Sequence, residues 1–353
     1  MTPAQAAIKR ATIAAQRAVT KLDAQALNEL EQLYQQAADD IAQRIEAYAG
    51  ADGNVMLQEL QSVLAQVKAR LNQLAEARNT LINQSLGSSV ELGVLPLASE
   101  GGLTAGAAMQ INHSALSFVR TFIAADGLQL SDRIWRLDRQ ALDLVSNAIE
   151  SAIIQGHGAA QAAREFLLRG QGVPGDVAGK VNAANAQAIG KAAGNVLTGE
   201  GSPMDNAMRL MRTEINRAHG TAYANGFMQH PDAAGLRFKL SPGHPKPDIC
   251  DLLSTQNLYG LGAGVYPTVE ASGWPAHPNT LSFLIGVFKD EVTAEDKAGK
   301  ETPMQALDRL TPEQQRGVLG ANKHDAYKDG KLTQGMIRAP WSAVEKRISK
   351  QGK

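Results

Sequence analysis

Leu57, Leu60, Leu64, Val67, Leu71, Leu74 and Leu81 recur at steps of three and four residues. That spacing lays them along one stripe of an α-helix and obliges the stripe to pack against another helix. Arg78 is the one interruption at a seam position. Upstream, Leu27, Leu30, Tyr34, Ala37, Ile41 and Tyr48 carry the same period, and Gly50-Ala-Asp-Gly-Asn54 between the two runs has the chemistry of a turn. The pattern predicts an antiparallel hairpin from Asp23 to Gln84 with a separate helix before it, so that residues 1–86 form an N-terminal helical arm. Its role stays open between stabilising its own domain and acting as a coiled-coil arm for a partner or for self-association.

The stretch 87–106 is rich in Gly, Ser and Leu, contains Pro96 and reads as a flexible linker. Helical pattern resumes over 107–230, a helical middle domain. Ser131 is placed to cap a helix in which Leu130, Ile134, Leu137, Ala141, Leu144 and Ala148 form one apolar stripe. Trp135, Leu142, Val145, Ile149 and Ile153 form its neighbour, and so wide an arc predicts a central helix of a bundle. A further helix from Met204 to Phe227 buries Met204, Met208, Met211, Ile215, Ala218 and Ala222 and turns Arg209, Arg212, Asn216 and Arg217 outward. Arg209, Arg212 and Arg217 are the candidate partner-binding residues, beside the bland reading of a solvated helix face.

Beyond His230 and Pro231 the texture changes. Leu236 to Leu240 alternates as a strand does, and closely spaced prolines and glycines then predict an α+β module of short strands and loops over 231–340. Lys346, Arg347, Lys350 and Lys353 follow Trp341 in a basic C-terminal tail, 341–353, read as disordered or in weak contact with DNA. The fold class expected is mainly α with a C-terminal α+β module.

Charge excludes some functions. Lys plus Arg and Asp plus Glu are equal at 35 each, so no global field draws the chain to nucleic acid or to an anionic membrane. A single cysteine, Cys250, rules out an internal disulfide framework and suits a reducing cytoplasm. The alanine-rich, basic stretch Met1 to Thr20 lacks the form of a secretory signal, and no apolar run reaches the roughly 20 residues of a membrane span.

Chemistry concentrates in His244-Pro-Lys-Pro-Asp248-Ile-Cys250-Asp251, in the loop from Leu258 to Pro267, and in Pro275-Ala-His277-Pro-Asn279. Cys250, His277 and Asp248 have the composition of a thiol nucleophile with a base, and Asp248 and Asp251 with a histidine could support metal-assisted hydrolysis. Neighbouring carboxylates oppose thiolate formation, and the glycine-rich loop has no Lys-Ser/Thr to cradle phosphate. The bland reading makes Asp248 and Asp251 turn caps, His277 a donor to backbone carbonyls, and Cys250 a small buried hydrophobe.

These elements, with Met211-Arg-Thr-Glu-Ile-Asn-Arg-Ala218 upstream and Leu310 to Gly320 downstream, resemble the phage head morphogenesis family, the minor head proteins typified by the F protein of phage Mu. The resemblance covers Ser131 to Gly335 and leaves the first hundred residues outside it. It implies a structural minor head protein made in host cytoplasm, associated with the portal, the major capsid protein or a scaffold during assembly and DNA packaging. Such a protein then resides in the virion, in the head interior or at the portal vertex, and either stays or leaves with the DNA. The alternatives are a phage-encoded effector or hydrolase using Cys250, His277 and Asp248, and a scaffold-like protein that never enters the virion. The resemblance also implies a zinc-like cluster in which the Asp-x-Cys element faces a Pro-x-His-Pro-x-Cys-x-Cys turn. Here Thr280 and Ser282 stand at the two cysteine positions, and neutral hydroxyls are poor zinc ligands, so no metal or other cofactor is expected. His244, Asp248, Cys250 and His277 remain as weak ligand candidates.

Overall fold

The structure is a computed structural model that describes residues 1–123, 126–244, 246–277, 280 and 282–351. Pro245, Pro278 and Asn279 of the motifs and Lys353 of the basic end lie outside the described residues. The chain divides into two compact units: Met1–Thr20, Leu86–Phe118 and Thr213–Lys353 form one, and Lys21–Ser85 with Val119–Arg212 form the other.

The unit of 21–85 and 119–212 contains the predicted hairpin. Helices α1 (Pro3–Glu46) and α2 (Leu60–Ser99) run antiparallel, with Arg70 Nε 2.6 Å from Asp40 Oδ2 and Arg44 Nη1 donating to Gln66 Oε1 at 2.8 Å. The expected separate first helix is not separate. Between Pro3 and Glu46 there is no glycine or further proline, so nothing stops propagation and α1 is continuous.

The seam also differs from a heptad. Ile8, Val19, Leu30 and Ile41 are buried along α1, and along α2 the buried series are Leu60, Leu71, Ile82; Val63, Leu74, Ser85; and Val67, Arg78, Ser89. Each series steps by eleven residues, about 3.67 per turn and close to the straight-helix value. Leu64 and Leu81 therefore rotate to half-buried positions, Val63 and Ile82 take their places, and Leu57 sits exposed in a short 3-10 turn. Arg78 is 1% exposed. Its Nη2 donates to Asp138 Oδ1 at 2.7 Å and to Asn79 Oδ1 at 2.9 Å, so the interruption in the stripe is a buried ion pair.

Helix α3 spans Ala105–Thr121 and α4 spans Leu130–Leu168. Ser131 does not cap α4: Gln129 is the N-cap, and the Asp132 side chain accepts from its backbone N–H. Only one face of α4 is buried, through Leu137, Ala141, Val145, Ile149 and Ile153, while Trp135 and Leu144 are exposed. It is an amphipathic surface helix and not the central one expected. The short α5 (Gly175–Ala178) and α6 (Ala186–Thr198) complete this unit with the first part of α7 (Pro203–Phe227).

In the other unit, most of the predicted linker 87–106 is helix, with 100–104 left as the turn between α2 and α3. Residues 87–99 continue α2, with Ser89, Val90, Val94 and Leu97 buried. At Ser89 and Gly93 small residues serve close approach. A Cβ on Gly93 would lie 2.5 Å from the His219 carbonyl, and Ser89 Oγ donates to the Ile215 carbonyl at 2.8 Å. Limited proteolysis is accordingly expected to spare 87–99; early cleavage there would contradict the packing of α2 on α7.

Strands β1 (Ala233–Lys239), β2 (Val265–Tyr266) and β3 (Phe283–Phe288) form a three-stranded antiparallel sheet in the order β2-β1-β3. Leu236 opposes Tyr266 on one side and Gly286 on the other. Helices α8 (Ile249–Thr255) and α9 (Val269–Ser272) lie between strands in sequence. The core against the sheet contains Tyr223, Phe227, Phe238, Cys250, Leu253, Trp274 and Phe288. After β3 come α10 (Ala294–Ala298), α11 (Pro303–Asp308), α12 (Pro312–Lys328) and α13 (Trp341–Gln351). The mainly α chain with a C-terminal α+β module is thus the observed architecture. The basic end is helical as far as it is described: Val344 of α13 is buried in a core with Leu252, Leu307 and Met336, and an apolar stripe of that kind folds the segment. Among the described residues, no helix is long and apolar enough to cross a membrane.

Candidate functional site

Helix α8 organises the site because its first turn is doubly capped. Asp248 is the N-cap and accepts from the Cys250 N–H at 2.7 Å, while Asp251 Oδ2 accepts from the Asp248 N–H at 2.8 Å. The two carboxylates therefore satisfy backbone donors that the helix start would otherwise leave unpaired. This is the capping role the bland reading gave them.

Two histidines converge on these caps. His244 Nε2 lies 2.9 Å from Asp251 Oδ2, and His277 Nε2 lies 3.1 Å from Asp248 Oδ2. The same His277 nitrogen is 3.3 Å from Cys250 Sγ. His277 thus engages side chains at the start of α8, and not only the backbone carbonyls expected of it. All five predicted cluster residues, His244, Asp248, Cys250, Asp251 and His277, come together.

Thr280 and Ser282 close the far side. Thr280 Oγ1 is 3.8 Å from Cys250 Sγ. Burial, with the nearby Asp248 carboxylate adding to it, pushes the Cys250 thiol up to about 12, so the sulfur is a neutral S–H at any physiological pH.

The residues that hold this turn in place escaped the sequence reading. Asn216 Nδ2 donates to the carbonyls of Thr280 at 2.9 Å and Ser282 at 3.1 Å, and Trp274 Nε1 donates to the Ser282 carbonyl at 2.9 Å. A Cβ on Gly220 would strike the Trp274 ring at 2.1 Å, so α7 and the turn meet with no room for a side chain. Asn216 had been placed on an outward polar face; the signal available was the dense run of polar residues from Thr213 to Thr221 beside an apolar stripe. That run is buried on every side. Tyr266 joins the glycine-rich loop to α8, accepting from Gln256 Nε2 at 2.6 Å and donating to the Leu253 carbonyl at 2.7 Å.

The three candidate partner-binding arginines do not share one exposed face. Arg217 is buried and its Nη1 bonds both carboxylate oxygens of Glu214 at 2.6 Å, while Arg212 pairs with Asp23 at 3.2 Å. Of the three, only Arg209 is exposed. The expected solvated face is buried from Thr213 to Thr221.

As a test of the zinc-like reading, the residues present supply two groups of donor atoms lying within 4.8 Å of one another: Asp248 with Cys250 and His277, and His244 with Asp248 and Asp251. The second is spoken for, since Asp251 Oδ2 already receives both the Asp248 N–H and His244. The first offers one thiol, one imidazole and one carboxylate, a donor set that fits a zinc-class cation without the two missing cysteines.

Comparison with protein-family models, with curated proteins and with solved structures finds no match for this chain.

Proposed function

We propose that the chain is a structural minor head protein of a tailed bacteriophage, associated with the portal vertex during head assembly and DNA packaging. One observation carries the reading. The separated elements of the family resemblance, the His/Asp/Cys segment, the tyrosine and glycine loop, the Pro-x-His turn and the Arg-Thr-Glu helix, are held to one another by side-chain bonds. Such mutual bracing is what an architectural module requires.

The geometry weighs against the hydrolase alternative. In a nucleophile, base and acid relay, thiol and carboxylate engage opposite nitrogens of the imidazole, so that the acid orients the base. Here Cys250 and Asp248 both approach Nε2 of His277. A thiol pushed up to about 12 is also a poor source of thiolate.

The test is copurification. The chain is expected in purified heads at a fixed ratio to portal, and its absence from particles would refute the assignment. Two variants separate architecture from chemistry. His277→Ala, which removes bonds to Cys250 and Asp248, is expected to lower stability by about 1 to 3 kcal/mol and reduce incorporation. Cys250→Ser is expected to incorporate normally and preserve infectivity, whereas normal incorporation with lost infectivity would favour the hydrolase.

A further inference from the structure

We propose that the outer face of α13 is a footing for the phosphate backbone of duplex DNA, held by Lys346, Arg347 and Lys350. The neutral total hides a local asymmetry. Residues 331–353 hold six basic side chains and one acidic one, Glu345, so the rest of the chain is acidic by the same margin of five. Charge gathered at one end of a neutral chain points to a polyanion.

Neighbouring basic side chains are already engaged. Lys323 Nζ donates to the Ile337 carbonyl at 2.6 Å and the Ala339 carbonyl at 3.3 Å, Lys331 pairs with Asp329 at 2.9 Å, and Arg338 Nη2 donates to the Gly273 carbonyl at 3.3 Å. Lys346, Arg347 and Lys350 are exposed, and among the described residues no carboxylate pairs with them. Attraction to the helix C-terminus accounts for Lys350, which lies in the last turn, and not for the other two.

The three also share a face. At about 3.6 residues per turn they fall within an arc of about 100°, while Trp341, Val344 and Ile348, which pack into the core, lie on the other side. Like charges a turn apart repel, and the buried stripe keeps the helix folded in spite of them. Lys346 and Lys350, with Glu345 and Ser349, line a shallow depression open to solvent. An anionic membrane needs an apolar anchor beside the charge, and among the described residues no large exposed hydrophobic lies beyond Tyr259 in the chain. Duplex DNA needs only its dense phosphate charge. That the duplex is the packaged genome rests on the head-protein reading; that α13 grips phosphate does not.

Fluorescence anisotropy of a labelled 30-base-pair duplex of arbitrary sequence, titrated with the full chain between about 50 and 200 mM salt, tests this. Binding is expected to be indifferent to sequence and to weaken steeply with salt. Each phosphate contact adds about 0.9 to the slope of log affinity against log salt, so the triple variant Lys346→Gln, Arg347→Gln, Lys350→Gln should flatten that slope by about 2.7. Its affinity at low salt should fall at least tenfold with an unchanged melt, since all three side chains are exposed. Lys331→Gln, whose charge Asp329 already meets, should leave the slope unmoved. No binding at 50 mM salt, or a triple variant that binds like the parent, would overturn the proposal. Equal competition by polyglutamate would replace DNA with an acidic protein, and equal competition by phosphatidylserine vesicles would replace it with a membrane. Absence of the chain from purified heads leaves this binding standing and removes only the genome as its source.

Discussion

Leu71→Asp is expected to unfold the hairpin of α1 and α2 altogether, because the carboxylate would enter the middle of the buried seam among Val67, Leu74 and the α1 residues facing them. Truncating a core leucine costs about 2 to 5 kcal/mol, and burying a charge with no partner adds to that. The sum is comparable to the whole stability of an ordinary domain, about 5 to 15 kcal/mol. Arg78 on the same stripe shows the condition under which a charge is tolerated: its guanidinium is held by Asp138 and Asn79. Circular dichroism decides the matter. Leu71→Met should melt within a few degrees of the parent, while Leu71→Asp should lose most of the helical signal of the unit at ambient temperature. Retained helicity in the aspartate variant would mean that this face is not a seam.

The elements were more legible than their boundaries. Apolar spacing alone located the hairpin, α7 and the first strand, since each buries one face against a neighbour and writes that face into the sequence. It misjudged 87–99, because Gly and Ser signal flexibility in a loop and close packing in a helix, and only the partner distinguishes the two. Gly93 against the His219 carbonyl belongs to the second kind. It also read an eleven-residue period as a heptad, since over one or two turns the two differ by a single position. The site was legible as a set of residues, because His, Asp and Cys are sparse and lie close in sequence. Its supports were not: Asn216 and Trp274 act through the carbonyls of Thr280 and Ser282, and bonds to backbone leave no pattern in side-chain types. The arginine face failed for the related reason that Arg217 and Glu214, three residues apart, look the same in sequence whether water or protein covers them.

Acid should destabilise the sheet-containing unit well before carboxylates protonate, through His219. This side chain is buried and stacked on Tyr223, and its Nε2 finds no hydrogen-bond partner among the described residues. Burial alone lowers its pKa from 6.5 to about 4, so the native state keeps the ring neutral where the unfolded chain would protonate it. The sign follows from proton counting. Above pH 6.5 neither state binds the proton and His219 contributes no pH dependence; as pH falls from 6.5 towards 4 the unfolded state takes up a proton that the native state refuses, and stability drops. At full extent the loss is on the order of 3 kcal/mol. Carboxylates with depressed values act later: Asp52, held down by its bond from Asn54, and Asp290, held down by the Met1 amine, lose their contribution only as pH falls below their ordinary 3.8. The difference between the parent protein and a variant at this position across 6.5 to 4.5 isolates the histidine. Denaturant melts across that window should shift steadily in the parent protein and much less in His219→Gln, which cannot protonate there. Equal acid sensitivity in the two proteins would show that His219 is hydrated or paired in solution, and that the buried polar face of α7 is more open than its packing against Gly93 and Trp274 implies.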